Sequence, residues 1–309
     1  MTEDRNNPPQ PAPDPGTGSG PEGAAPTTNS TPDGAKAVIR DALARALNQN
    51  PTEPHSDAFI LLQPDARCDL SAITTDVAAT FPFAPPVTSS RPPNSWGPSF
   101  QVGPVTVGSY ILPMPLPADQ LEASARWSWL WPTAAADLRG HAQMMTLSAS
   151  GGNAAERGVA LTMLTAAVFG TCPQAAGVLW DAAGHLVRGN VFRAFAAKVM
   201  PAQLPLLLWL GIPAWPNADG TCDGYTIGLR EFGCPEIEMC EAPLSVPELR
   251  QRVSDLAPRL IAKEIDVPDG TTMNVSATQT VTVSYGESRF GQPGRVMRFR
   301  YGRTGPPKT

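Results

Sequence analysis

Beyond Asp57 the chain alternates short apolar runs with polar, Pro- and Gly-rich breaks, the pattern of a sheet-rich body with interspersed helices. Ala58-Phe59-Ile60-Leu61-Leu62, bounded by Asp57 and Pro64, predicts a buried strand. Leu70, Ile73 and Val77 predict a helix. Phe100 and Val102, then Val105, Val107, Ser109 and Ile111 after the Gly103-Pro104 turn, predict two strands. Pro113, Pro115 and Pro117 end the second, because proline cannot donate to a ladder. Leu121, Ala125 and Trp129 mark a helix, and 141–149 another strand. Over residues 57–150 the order is strand, helix, strand, strand, helix, strand, which is the ferredoxin-like order.

Residues 151–309 read as a second lobe. Ser150-Gly151-Gly152-Asn153 leads into a helix carrying Val159, Met163, Leu164, Ala167 and Phe169, which is apolar over most of its surface and is therefore expected to be central. The turn has no Lys-Ser/Thr ending, so a tight connection is expected there rather than a phosphate site. Further strands are expected at 175–180, 204–210, 225–229 and 234–240, with a helix around 191–199. Ser245 and Glu248 have the spacing of a capping box, opening an amphipathic helix with Leu249, Val253, Leu256, Leu260 and Ile261. Pro258 predicts a break in it near Ala257. Alternation at 275–283 and 296–301 completes the strands. The fold class is α+β, with mixed, mostly antiparallel sheets and packed helices.

The first part of the chain differs. Residues 1–34 hold eight prolines and five glycines, and their one large apolar side chain is Met1. Such a segment cannot bury enough surface to offset its ordering entropy, so a disordered Pro-rich tail is expected. Ile39, Leu43 and Leu47 predict a short helix within 35–56, followed by a linker.

Charge and composition narrow the classes. With 28 acidic against 23 basic residues and a net charge of -5, the chain lacks the basic surface of a general nucleic-acid binder. No apolar run reaches the ~18–20 residues of a membrane span. The first residues show neither a basic n-region nor an apolar h-region, so no secretory signal is expected. The cysteines, Cys68, Cys172, Cys222, Cys234 and Cys240, are odd in number, widely spaced and without a C-x-x-C pair. They are expected to be reduced thiols in a cytoplasm, packing as small hydrophobes. No metal site or cofactor is expected, and His141 and His185 are expected to be structural.

Three patterns carry candidate chemistry. Glu236 and Glu238 fall on one face of the predicted 234–240 strand, with Ile237 and Met239 on the other. Paired carboxylates can work as acid and base or hold a cation, but a half-exposed strand with a solvated side is the favoured reading. Trp96, Trp127, Trp129, Trp131 and Trp215 lie in predicted loops, where tryptophan either anchors a partner or fills a core. Arg289, Arg295, Arg298, Arg300, Arg303 and Lys308 face only Glu287 near the C-terminus. They suit an acidic partner or nucleic acid, or an edge strand protected by charge, which is the favoured reading.

Leu204-Pro205 with Trp209, then Tyr225-Thr226-Ile227-Gly228-Leu229, Phe232-Gly233 and Glu236-Ile237-Glu238 resemble the bacterial family catalogued as domain of unknown function 4261. The resemblance covers mainly residues 140–285. It implies a bacterial cytoplasmic α+β protein and no particular chemistry. The expected function is a non-catalytic binding protein of adaptor or immunity type. Its partner is expected to be another protein, met through Trp96, Trp215, Tyr225, Glu236 and Glu238, with no membrane and no nucleic acid involved. The alternative is a carboxylate- or metal-dependent hydrolase using Glu231, Glu236 and Glu238.

Overall fold

The strand β1 (His55–Leu62) is apolar at successive positions, and both of its faces are buried. Ala58, Ile60 and Leu62 enter the main core, while Phe59 and Leu61 enter a second, smaller one. A strand of this kind needs cover on two sides, and the first half of the molecule is built to supply it. A computed structural model of the chain describes residues 54–91, 97–276 and 279–303. The expected tail at 1–34, the helix with Ile39, Leu43 and Leu47, Trp96 and Lys308 lie outside the described residues.

Around β1 run β2 (Val87–Ser90), β3 (Ser99–Val102), β4 (Val105–Leu112), β5 (Gln143–Ser150), β6 (Ala175–Trp180) and β7 (His185–Arg188). They form one sheet in the order β2-β3-β4-β5-β1-β6-β7, antiparallel at every pairing. Its helices are α1 (Leu70–Thr80), α2 (Ala118–Arg126), α3 (Ala134–Asp137), α4 (Ala154–Thr171) and α5 (Gly189–Val199). Ile73 and Val77 of α1, most of α4, and Phe192 and Ala196 of α5 pack on the main-core face. Leu121 of α2 and Ala134 of α3, with Trp131 and Leu138, cover the other.

The expected order of elements holds along the chain, with β2 and α3 added, but its ferredoxin-like pairing does not. In place of a split βαβ, β3, β4 and β5 form a meander and β1 lies beside β5. The cause is the placement of α2 and α3, which stay on the face opposite α1 and so bury Phe59 and Leu61. The lobe boundary expected at Ser150 falls inside this sheet, because β6 and β7 complete it.

The second sheet follows a short helix, α6 (Leu206–Trp209). Its strands are β8 (Ala214–Pro216), β9 (Cys222–Tyr225), β10 (Glu236–Ala242), β11 (Thr272–Ser276), β12 (Gln279–Glu287) and β13 (Arg295–Arg303). They are ordered β11-β12-β13-β10-β9-β8, and β10 pairs with β13 in parallel. Between β10 and β11, α7 (Val246–Ile261) packs Leu249, Val253, Ala257 and Leu260 into the main core. Its capping box of Ser245 and Glu248 is present. The helix runs through Pro258 without the expected break, with Ala257 and Leu260 buried on either side of the proline. The run at 204–210 is the turn of α6 rather than a strand. Leu206, Leu208, Trp209 and Leu210 are all buried, with Leu207 partly so, and the run carries no period by which to choose. The arginine-rich β13 is an interior strand, not the expected edge.

As expected, α4 is central, and its N-terminus is closed by a capping box of Asn153 and Glu156. It is also the seat of an aromatic column. Phe192, Trp180, Trp209 and Phe232 stack in succession, with ring centroids 6.1, 6.2 and 5.7 Å apart. Trp209 Nε1 donates to Thr162 Oγ1 at 2.8 Å, and that hydroxyl donates to Gly158 O at 2.7 Å. The indole lies so close to α4 that a Cβ on Gly158 would stand 2.9–3.1 Å from three of its atoms.

This contact sets two expectations for denaturant unfolding. Trp209→Ala should cost about 3–5 kcal/mol. Gly158→Ala should destabilise by about 1–3 kcal/mol through overpacking, against a helix-propensity gain of about 1 kcal/mol. A raised midpoint for Gly158→Ala would show that the indole can move aside.

Candidate functional site

On β10, Ile237 and Met239 face the main core as the alternation predicts. The other set is not solvated: Glu236 is 2% exposed and Glu238 is 0% exposed. The favoured reading of a half-exposed strand is therefore overturned. The outer face of this sheet is itself covered, by residues 288–292 and by Trp215.

Each carboxylate is satisfied in a different way. Glu236 accepts from Thr226 Oγ1 at 2.6 Å and from the backbone N–H groups of Gly228 at 2.9 Å, Leu229 at 3.3 Å and Arg230 at 3.3 Å. It thereby caps the short 3-10 helix Leu229–Phe232. Glu238 pairs with Arg298, whose Nε is 3.1 Å away, and accepts from the Ser288 hydroxyl and from Arg289 N–H at 3.3 Å. Ser288 Oγ accepts in turn from the N–H groups of Phe290 and Gln292, at 3.0 and 2.9 Å. Glu238 thus organises the loop that closes over it.

Over Glu238 lies a group of aromatic rings. Tyr225 stacks on Phe290 at 5.4 Å, and Trp215 meets both edge-on, at 6.1 and 5.1 Å. Burial raises the Tyr225 phenol above its ordinary range. Trp127, from the segment after α2, reaches Trp215 at 6.1 Å, and both of these indoles are half-buried. Trp215, Tyr225 and Glu238 are therefore brought together, and Glu236 stands apart, bonded to the 3-10 helix. Trp131 is a core residue with Arg188 above its ring, and Trp129 lies beneath Arg250.

Glu231 lies on the 3-10 helix that Glu236 caps, but its side chain is engaged elsewhere. It accepts from Ser56 Oγ at 3.3 Å, at the start of β1. There it joins a cluster that the sequence did not single out. Arg157, buried on α4, donates from Nε to Ser56 Oγ at 3.2 Å and from Nη1 to Gly152 O at 3.1 Å. His55 Nε2 is 3.6 Å from Asp57 Oδ2. Burial pushes the Asp57 carboxyl up to about 6, against a hydrogen bond with Ser148 and the nearby His55, with Asp181 and Glu231 adding to the rise. Burial also raises Glu231. No local motif joins these residues, which come from β1, α4, the turn after β6 and the 3-10 helix. Among the described residues, no three His, Cys, Asp or Glu converge as metal ligands.

The two buried histidines are occupied by backbone. His141 Nε2 accepts from Leu116 N–H at 2.8 Å and its Nδ1 bonds Leu138 O. His185 Nε2 bonds Leu208 O at 3.1 Å, and burial pulls its imidazole down to about 4, so it is neutral at pH 7.

The fold and its occupied carboxylates define a two-sheet α+β protein. Residues 225–300 match the family model of a domain of unknown function, DUF4261. The match begins later than the resemblance over 140–285 and continues through Arg298 and Arg300. It coincides with the second sheet from the end of β9 into β13, together with α7. No curated protein and no solved structure matches the chain.

Two predictions follow from the buried charges. Arg298→Met should cost about 3–5 kcal/mol by leaving Glu238 unpaired, and adding Glu238→Gln should restore most of that. Equal stability of the single and double variants would refute the pairing.

The second concerns pH. Asp57 has a raised pKa, so its contribution is present below about 4 and is lost as pH rises through about 6. The loss is about 3 kcal/mol for a shift of about two units. His185 has a lowered pKa, so its contribution is present above 6.5 and is lost as pH falls to about 4. The two slopes oppose each other between about pH 4 and 6. Asp57→Asn should raise the denaturant midpoint at pH 8 and steepen the loss on acidification. A profile parallel to wild type would place the titration elsewhere.

Proposed function

We propose that the protein is a non-catalytic binding protein of adaptor or immunity type, working in a bacterial cytoplasm and engaging another protein. The observation that carries this reading is the half-buried Trp127–Trp215 pair backed by Tyr225 and Phe290. An exposed ion pair, Arg289 with Glu241 at 3.2 Å, lies beside it. Rigid aromatic area with a polar rim is the usual anatomy of a contact patch. The carboxylates beneath are engaged by their own neighbours, which favours contact over chemistry. The free thiols of all five cysteines agree with a reducing compartment.

A second reading, a carboxylate-dependent hydrolase, draws on Glu231 and the neighbouring Asp57, whose raised pKa values suit a general acid. Glu236 and Glu238 do not share partners with Glu231, so this version rests on the cluster at the start of β1.

Wild type and Trp215→Ser, each immobilised and exposed to native-host lysate, separate the readings. The binding function predicts a stoichiometric protein retained by wild type and lost from the folded variant. Equal retention, or none, counts against it. A hydrolytic activity abolished by Glu231→Gln in a folded protein would favour the second reading.

A further inference from the structure

We propose that β11 is a self-association surface, through which two copies of this chain pair antiparallel about a two-fold axis at Asn274 and join their second sheets into one. Among the described residues, the two sheets end in four border strands, β2, β7, β8 and β11. Three of them carry the usual devices that stop a border from pairing further, which are proline, charge and cover. β2 is preceded by Pro85-Pro86 and followed by the exposed Arg91. β7 is buried at His185, Leu186 and Val187, and β8 contains Pro216. β11 has none of these. Residues 270–286 contain neither proline nor a charged side chain, and Thr272, Met273, Asn274 and Val275 are all exposed.

The backbone of β11 is turned to receive a partner strand. Val283 N–H donates to Thr271 O at 2.8 Å, which sets Thr271 and Met273 toward β12. Thr272 and Asn274 therefore direct their N–H and C=O groups to the open side. Met273 lies opposite the core residue Val281, so it prolongs the apolar face past the last core contact. It is 40% exposed, and Val275 is 37% exposed. Val275 is the extra residue of a bulge against β12, which adds twist without shielding the open side.

The strand's own sequence names the occupant. Thr272-Met273-Asn274-Val275-Ser276 reads polar, apolar, polar, apolar, polar from either end. In an antiparallel pair centred on Asn274, that residue meets Asn274 of the second copy, and Met273 meets Val275 of the second copy. The chain carries a net charge of -5, and this uncharged border lets two copies meet without like charges at the contact. Five residues a side bury less than the roughly 1,200 Å² of a stable interface, so the dimer is weak and reversible. β11 and the Trp215-bearing β8 are opposite borders of the sheet, so pairing leaves the aromatic patch open and is independent of the binding function.

Sedimentation velocity of the purified full chain, from low micromolar to several hundred micromolar, reads the association. The expected result is a weight-average coefficient that rises with concentration toward that of a dimer. Asn274→Lys and Asn274→Asp each set like charges opposite one another across the axis, at an exposed position where the fold is not at stake. Each variant should stay folded by circular dichroism and monomeric where wild type dimerises. An equimolar mixture of the two should regain association, because opposite charges then meet, and added salt should weaken it. A wild-type chain that is monomeric throughout, a dimer that survives both single variants, or a mixture that stays monomeric would overturn the proposal.

Discussion

Trp209 occupies the place where the two sheets have to be held against one helix. Its ring lies between Trp180, at the end of β6, and Phe232, in the 3-10 helix leading into β10. Its edge rests on α4 where Gly158 leaves room, and its N–H is fixed by Thr162. Much else follows from that contact. The turn that offers Phe232 to the column is the one Glu236 caps, so the cap and the column hold the same four residues. The same turn carries Glu231 to Ser56 and thereby assembles the charged cluster at the start of β1. Packing in the core thus decides where a titratable group near the surface will stand.

The second sheet buries two carboxylates on one strand, and it answers each differently. Glu236 is neutralised by dipoles, a hydroxyl and three backbone N–H groups, whose geometry is fixed by the turn itself. Glu238 is neutralised by a full charge from Arg298 on the parallel neighbour, supplemented by Ser288 and Arg289. The first arrangement is local and specifies a turn. The second spans the sheet and specifies which strand lies beside β10. Both carboxylates are thus engaged by groups of their own chain.

How far the sequence foretells these features depends on the range of the interaction. The apolar run of β1, the centrality of α4 and the capping box at Ser245 and Glu248 are local patterns, and each is present. The run at 204–210 has no period because nearly every side chain in it is buried, so strand and helix look alike there. The pairing of the first sheet depends on which face α2 and α3 cover, and no alternation encodes that choice. Glu236 and Glu238 are legible as a pair sharing a face, but their burial is not, because Glu238 is met by a loop some fifty residues onward and Glu236 by the turn before its strand. The cluster of His55, Asp57, Arg157, Asp181 and Glu231 has no signature within any one segment. It exists only because separate elements converge.

One consequence lies in the position of β13. It is made after every other strand of its sheet, yet it sits in the middle, between β12 and β10. While the chain leaves the ribosome, β10 therefore waits with one edge open and with Glu238 lacking its guanidinium. The β11–β12 hairpin has nothing to join until the final strand emerges. The sheet closes from its centre and late, so that a nascent chain halted before Arg295 would present an unfilled slot rather than a shortened border.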